Sequence, residues 1–486
     1  MKTALNGLVL AATAAAQEPI DRATLARIRD EGLNRSQVAA TFNQLTNVFG
    51  PRLTGTPAYK QAADWSEARF TAWGLKSVHQ EAFPFGRGWT LNKFVLELTA
   101  PRYMPLIGYP EAWTPSTRGE IVGAPVYIGE LADTAAVRAL AVRLRGAIVL
   151  ATAAQDTFIV GDRAEPSLSD TAVRIGAPRF FNPRAPGQRN VVNNILRDAG
   201  AAVQLRPQQG QHGTMFVLGN RNTRDDATPS VIVASEQYNM IVNMVKAGIA
   251  VRLRVAIASQ YETADTNGYN VIAEIPGTDP RLSSEVVLIG SHLDSWHSAT
   301  GATDNADASA SLLEAARILS TLGVRPRRTI RFALWGGEEQ GLLGSRAHVA
   351  RHYAGDANAA NRDKLAVYLN SDPGSGPIFG WYMEENAAAK TVFDAWLEPF
   401  KDLGARRNVM QRIGSTDHVA FTGLGVPAFN SLQDYVGYDE REHHTNMDFA
   451  ERVMEADLKQ NAVVLASFAW LAAQRDQKIP RVAPVP

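Results

Sequence analysis

Carboxylates and imidazoles recur at five places late in the chain, each close behind an apolar run or a glycine turn. Ser291-His292-Leu293-Asp294-Ser295 follows Val286-Val287-Leu288-Ile289 and sets an imidazole beside a carboxylate. Gly301-Ala302-Thr303-Asp304-Asn305 is a flexible turn that delivers Asp304 just before a helix predicted from about Asp307, a residue that itself reads as a helix cap. Trp335-Gly336-Gly337-Glu338-Glu339-Gln340-Gly341 presents two adjacent carboxylates between glycines. Side-by-side like charges are costly unless a cation or a proton neutralises them, and the flanking glycines favour a pocket over a solvated turn. Asp372, in Leu369-Asn370-Ser371-Asp372, and His444, in Glu442-His443-His444-Thr445, complete the set. Each alone is weak, since a histidine at a strand end is as often a hydrogen-bonded loop residue as a ligand. Together, His292, Asp304, Glu339, Asp372 and His444 supply the oxygen and nitrogen donors that two zinc-like ions require where there is no thiol, and the chain has no cysteine.

Such donors converge only if a scaffold aims them. After Asn267-Gly268 the chain alternates strand and helix: Val286–Ile289, Ile330–Leu334, Ala366–Leu369 and Val426–Phe429 read as strands, with helices over 312–322, 391–400 and 458–473. The expected fold class is α/β, a mostly parallel mixed sheet flanked by helices, in which ligands gather at the carboxyl ends of the strands. Upstream, residues 20–73 have helical spacing with breaks at Gly50-Pro51 and Gly55-Thr56-Pro57, and 78–98 suggests an antiparallel pair of strands. Between 113 and 262 short β-rich runs alternate with polar stretches, the texture of an inserted domain. The expected organisation is therefore 17–112 and 263–486 as two parts of the main domain, with 113–262 inserted.

At 486 residues, 45% hydrophobic and 20% charged, the composition excludes a disordered or fibrous chain. Lys+Arg and Asp+Glu balance at 49 each, so no global field draws the protein to nucleic acid or to an anionic membrane surface. Met1-Lys2, the apolar Leu8–Ala12 and Ala14-Ala15-Ala16 read as an export signal over 1–16, which makes a secreted or periplasmic location the expectation.

The order and spacing of these motifs over about 268–481 resemble the zinc-dependent exopeptidases of the M28 family, in its carboxypeptidase Q branch. The stretches that carry the likeness are Ser291–Trp296 with Gly301-Ala302-x-Asp304, Leu322–Thr329 leading into Leu334-Trp335-x-x-Glu338-Glu339-Gln340-Gly341, and His443-His444. The resemblance implies a zinc-exopeptidase, phosphorylase/hydrolase-like sheet with an inserted domain of protease-associated type. It implies two Zn2+ ions, or other divalent metals in their place: His292 and Asp372 on one, Glu339 and His444 on the other, Asp304 bridging. Glu338 would be the general base, Asp294 would fix the tautomer of His292, and His443 would steady the oxyanion. The implied substrates are dipeptides or short peptides with a free N-terminus, cut by an aminopeptidase or a dipeptidase; a homodimer is also compatible with the likeness. Two other readings share the scaffold: a glutaminyl cyclase-like transferase with a single zinc, and a non-catalytic binding or receptor module. Asn305 departs from the family's usual second Asp, and His418, in Ser415-Thr416-Asp417-His418, is expected to shape the site without binding metal.

Overall fold

A computed structural model of the protein describes residues 18–131, 133–163, 186–372 and 374–482; the expected export segment 1–16 lies outside them. The main sheet has seven strands: β1 (Lys76–Pro84), β2 (Asn267–Ile275), β3 (Val286–His292), β4 (Thr329–Trp335), β5 (Leu365–Asn370), β6 (Ser375–Tyr382) and β7 (Ala428–Asp434). Their order across the sheet is β1-β2-β4-β3-β5-β7-β6. The central strands β4, β3, β5 and β7 run parallel, and the outer pairings β1/β2, β2/β4 and β6/β7 are antiparallel.

Strands covered on both faces must be apolar throughout, which is why β3 and β5 read as continuous hydrophobic runs rather than alternating ones. Val287 and Ile289 enter the large core beneath helix α1 (Asp307–Thr321) and helix α3 (Glu455–Gln474), while Leu288 points to the opposite face, into the cluster formed with Val349 of α2 (Leu343–His352) and Tyr353 just beyond it. Helix α3 is buried around nearly its whole circumference because the helix Arg22–Asn34 packs over it. Even so, among the described residues no helix is long and apolar enough to cross a membrane.

Among the described residues from Gly88 to Glu262 none adds a strand to this sheet. The segment builds a four-stranded antiparallel sheet, with Gly88–Ala100 and Arg252–Glu262 as its centre, and a five-stranded sheet in which Val203–Pro207 is central. The two sheets share one apolar core, Leu96 and Leu253 meeting Leu205 and Val231. The expected strand pair within 78–98 does not form. Strand β1 pairs with β2, and Gly88–Ala100 pairs with Arg252–Glu262. The reason lies in the link: the amides of Phe85 and Gly86 both donate to the carbonyl of Thr266, at 3.0 and 2.9 Å, so the connection is held by a distant segment instead of closing a hairpin.

Candidate metal centre

The register of the parallel strands sets the site. His292, the last residue of β3, lies opposite Trp335, the last of β4, and Gly290 of β3 lies opposite Asn370, the last of β5. Three loops therefore leave the sheet at one level: 293–304 after β3, 336–342 after β4, and one that begins at Ser371 after β5. The Glu338 loop can leave so tightly because Gly336 has no side chain; a Cβ there would stand 2.2 Å from the hydroxyl of Tyr59 and 2.6 Å from the carbonyl of Tyr269.

Around these loops the five donors converge in two overlapping groups. His292 Nε2 lies 3.2 Å from Asp304 Oδ1 and 3.4 Å from Asp372 Oδ1. His444 Nε2 lies 3.3 Å from Asp304 Oδ2 and 2.8 Å from Glu339 Oε2. One carboxylate thus turns one oxygen to each imidazole. His443 stacks on His444 with ring centroids 3.7 Å apart, and it too brings an atom within 4.8 Å of the donors of Asp304 and His444.

Electrostatics say what the cluster lacks. Burial, reinforced by Asp304, lifts Glu339 to about 7, and burial with the nearby Asp372 and Asp417 carboxylates raises Glu338 well above its usual range against the pull of His292. Burial opposes a charged His444, yet Glu339 and Asp304 carry it up to about 9; His292 is raised in the same way by Asp372 and Glu338. The cluster holds more negative charge than its own imidazoles offset, and Asp304 Oδ2 and Glu339 Oε1 are buried without a hydrogen-bond donor. Divalent cations fit this requirement, and an all-oxygen-and-imidazole donor set suits zinc-like ions.

The profile of peptidase family M28 matches residues 270–469. The chain carries an M28 peptidase domain. Leupeptin-inactivating enzyme 1 of Streptomyces exfoliatus is 28% identical over 48% of this chain and 55% of its own length. Carboxypeptidase Q of Pongo abelii is 26% identical over 52% of this chain and 51% of its own. The chain therefore spans about half the length of the curated relatives it matches. Among solved structures, the M28 peptidase precursor of Shewanella amazonensis superposes with a TM-score of 0.71 at 25% identity, covering 96% of this chain and 99% of that one.

Other residues of the M28 domain hold the donors in place. Nδ1 of His292 faces the backbone carbonyl of Asp294 at 3.0 Å, and the Asp294 carboxylate, 3.6 Å from that ring nitrogen, accepts the amide of Glu338 at 3.2 Å. Asn305 donates its side-chain amide to the carbonyl of Ser371 at 3.1 Å, a bond that an aspartate could not make, so the departure from the family pattern joins the Asp304 turn to the Asp372 loop. His418 is fully buried and lies 3.2 Å from Glu384 Oε1, whose oxygen also takes the amide of Ile413 in the cleft wall.

Two further residues were not singled out from the sequence. Asp448 accepts the amide and hydroxyl of Thr303, at 2.7 and 2.8 Å, and the amide of Asp304 at 3.2 Å. Arg52, wholly buried, donates to the carbonyls of Leu45, Gly50, Leu293, Thr300 and Gly301, tying both loops that flank His292 and Asp304. Burial lowers Arg52 to about 10, partly countered by Asp448 and Asp294, so it stays charged at neutral pH. Most of their partners are distant in sequence, Leu293, Thr300 and Gly301 for Arg52 and Thr303 and Asp304 for Asp448, and no local motif marks them. Replacing Arg52 by Met leaves the carbonyls bare, and a loss of about 3–5 kcal/mol is expected in urea unfolding; a change below about 1 kcal/mol would contradict this role.

The segment between Gly88 and Glu262 grips the remaining donor. The amide of Val217 donates to the carbonyl of His444 at 3.0 Å, Asn446 N to Met215 O at 3.2 Å, and Met215 N to Asn446 Oδ1 at 2.7 Å. Asp162 accepts the amides of Gly437 and Glu440, at 2.7 and 2.9 Å, and Arg163 pairs with Asp439. His444 has a left-handed backbone, φ 61°, a conformation that costs a non-glycine residue about 1–3 kcal/mol and persists where its surroundings enforce it. A cleft of about 630 Å³ opens over the donors, lined by Glu338, Arg163, Arg346, Ile413, Tyr438 and His443.

Proposed function

We propose that the chain is a metal-dependent exopeptidase acting on dipeptides or short peptides with a free N-terminus. The observation that supports this most strongly is Asp304 with one oxygen toward His292 and the other toward His444. In this reading His292, Asp304 and Asp372 hold one zinc ion, and Asp304, Glu339 and His444 the other. When bound, the ions supply Lewis acidity toward the scissile carbonyl and make the attacking water more acidic.

The chain's own residues do the rest. Glu338 stands next to a donor without being one, its backbone held by Asp294, so its carboxylate is free to accept a proton from the attacking water and pass it to the leaving amine. Burial and the neighbouring His444 push His443 down to about 3, which keeps its imidazole neutral and able to donate a hydrogen bond to the developing oxyanion. Acidic groups in the cleft suit a substrate ammonium, and the exposed Arg346 suits the carboxylate of a short substrate. The export segment read over 1–16 supports action outside the cytoplasm.

A panel of free, N-acetylated and C-amidated dipeptides and tripeptides tests this. Free dipeptides are expected to be cut, N-acetylation to abolish cleavage, and a chelator to stop it. Equal turnover of N-acetylated peptides would exclude recognition of a free N-terminus.

A further inference from the structure

We propose a second metal site, separate from the centre above, in which Glu81, His348 and His352 hold one divalent ion of the zinc class. His348 and His352 are four residues apart and share one face of α2; Glu81 reaches them from the neighbouring strand β1. Glu81 Oε2 lies 2.9 Å from His348 Nδ1 and 3.1 Å from His352 Nε2, and the three donor atoms all fall within 4.8 Å of one another. Tetrahedral zinc with ligand bonds of about 2.0–2.1 Å separates its donors by about 3.3 Å, so the two separations from Glu81 to the histidines need only a few tenths of an ångström of expansion. The donor pairs of the M28 centre span the same range, 2.8 to 3.4 Å.

The surroundings pre-set these groups. Arg351 Nη1 is 2.9 Å from the other oxygen of Glu81, and its Nη2 is anchored on the carbonyl of Ala82 at 2.7 Å, which leaves Oε2 to face the histidines. The ring of His348 is buried against Trp335 and Tyr353, with centroids 5.1 and 5.7 Å away, so its direction is set by packing. His352 is 39% exposed, giving an ion a way in and leaving room for water as a fourth ligand. Two imidazoles with one carboxylate select zinc or its transition-metal neighbours over magnesium or calcium. An ion there would fasten α2 to β1, a structural role. The competing state keeps a proton on His348 Nδ1 and leaves a hydrogen-bonded Glu–His–His network with no metal.

The experiment is equilibrium dialysis of the whole chain against zinc alone, with metal content read by mass spectrometry. His352→Ala is expected to bind one zinc fewer per chain than the unmodified protein while retaining its peptidase rate, and the milder His352→Gln to lose the same equivalent. Because the readout is the difference in bound zinc, it holds whether or not the chain is a peptidase. Equal zinc content in all three proteins would overturn the proposal.

Discussion

Glu338→Gln is expected to lower kcat by about 10³-fold and to leave the bound metal unchanged. Glutamine keeps the size of the side chain and the backbone bond from Glu338 N to Asp294 Oδ1, so the loop after β4 has no reason to move. What disappears is the capacity to take a proton. Burial and the surrounding carboxylates hold the Glu338 carboxyl well above the usual range, and bound cations would draw it back toward the ionised form that a base requires. Steady-state kinetics on a free dipeptide and metal analysis of the same preparation check both halves. Turnover within about tenfold of the unmodified protein would remove Glu338 from the base role.

Asp304→Ala is expected to remove both ions together and to lower the rate by about 10⁴-fold or more, toward the uncatalysed reaction. Its two oxygens lie 3.2 and 3.3 Å from different imidazoles, so this one carboxylate is shared by both groups. Asp372→Ala, in contrast, touches only the His292 group and should leave the His444 group its donors. Metal analysis of the two variants separates these outcomes. If Asp304→Ala kept two tightly bound ions, the shared position of that carboxylate would be wrong.

Much of the centre was legible beforehand because its donors follow features that local sequence reports. Apolar runs such as Val286–Ile289 and Ala366–Leu369 mark strands buried on both faces, and residues just beyond them must lie at strand ends. The glycines around Glu338-Glu339 signalled close backbone approach, and Gly336 against Tyr59 is that approach. Arg52 and Asp448 gave no such sign. Each works through partners on other loops, and a buried arginine is written in sequence just as an exposed one is.

The strands near residues 78–98 make the same distinction sharper. Their composition shows β-structure, but their partners begin at Asn267 and Arg252, and the bonds from Phe85 and Gly86 to Thr266 hold the link where the two strands part into separate sheets. The sequence by itself determined which side chains could bind cations and that they would leave an α/β sheet at its strand ends. The tertiary structure decided which oxygen of Asp304 meets which histidine, that the segment between Gly88 and Glu262 grips the His444 loop, and that Glu81 faces two histidines of α2. Periodicity and turn chemistry act over a few residues, whereas these contacts depend on how whole elements pack against one another.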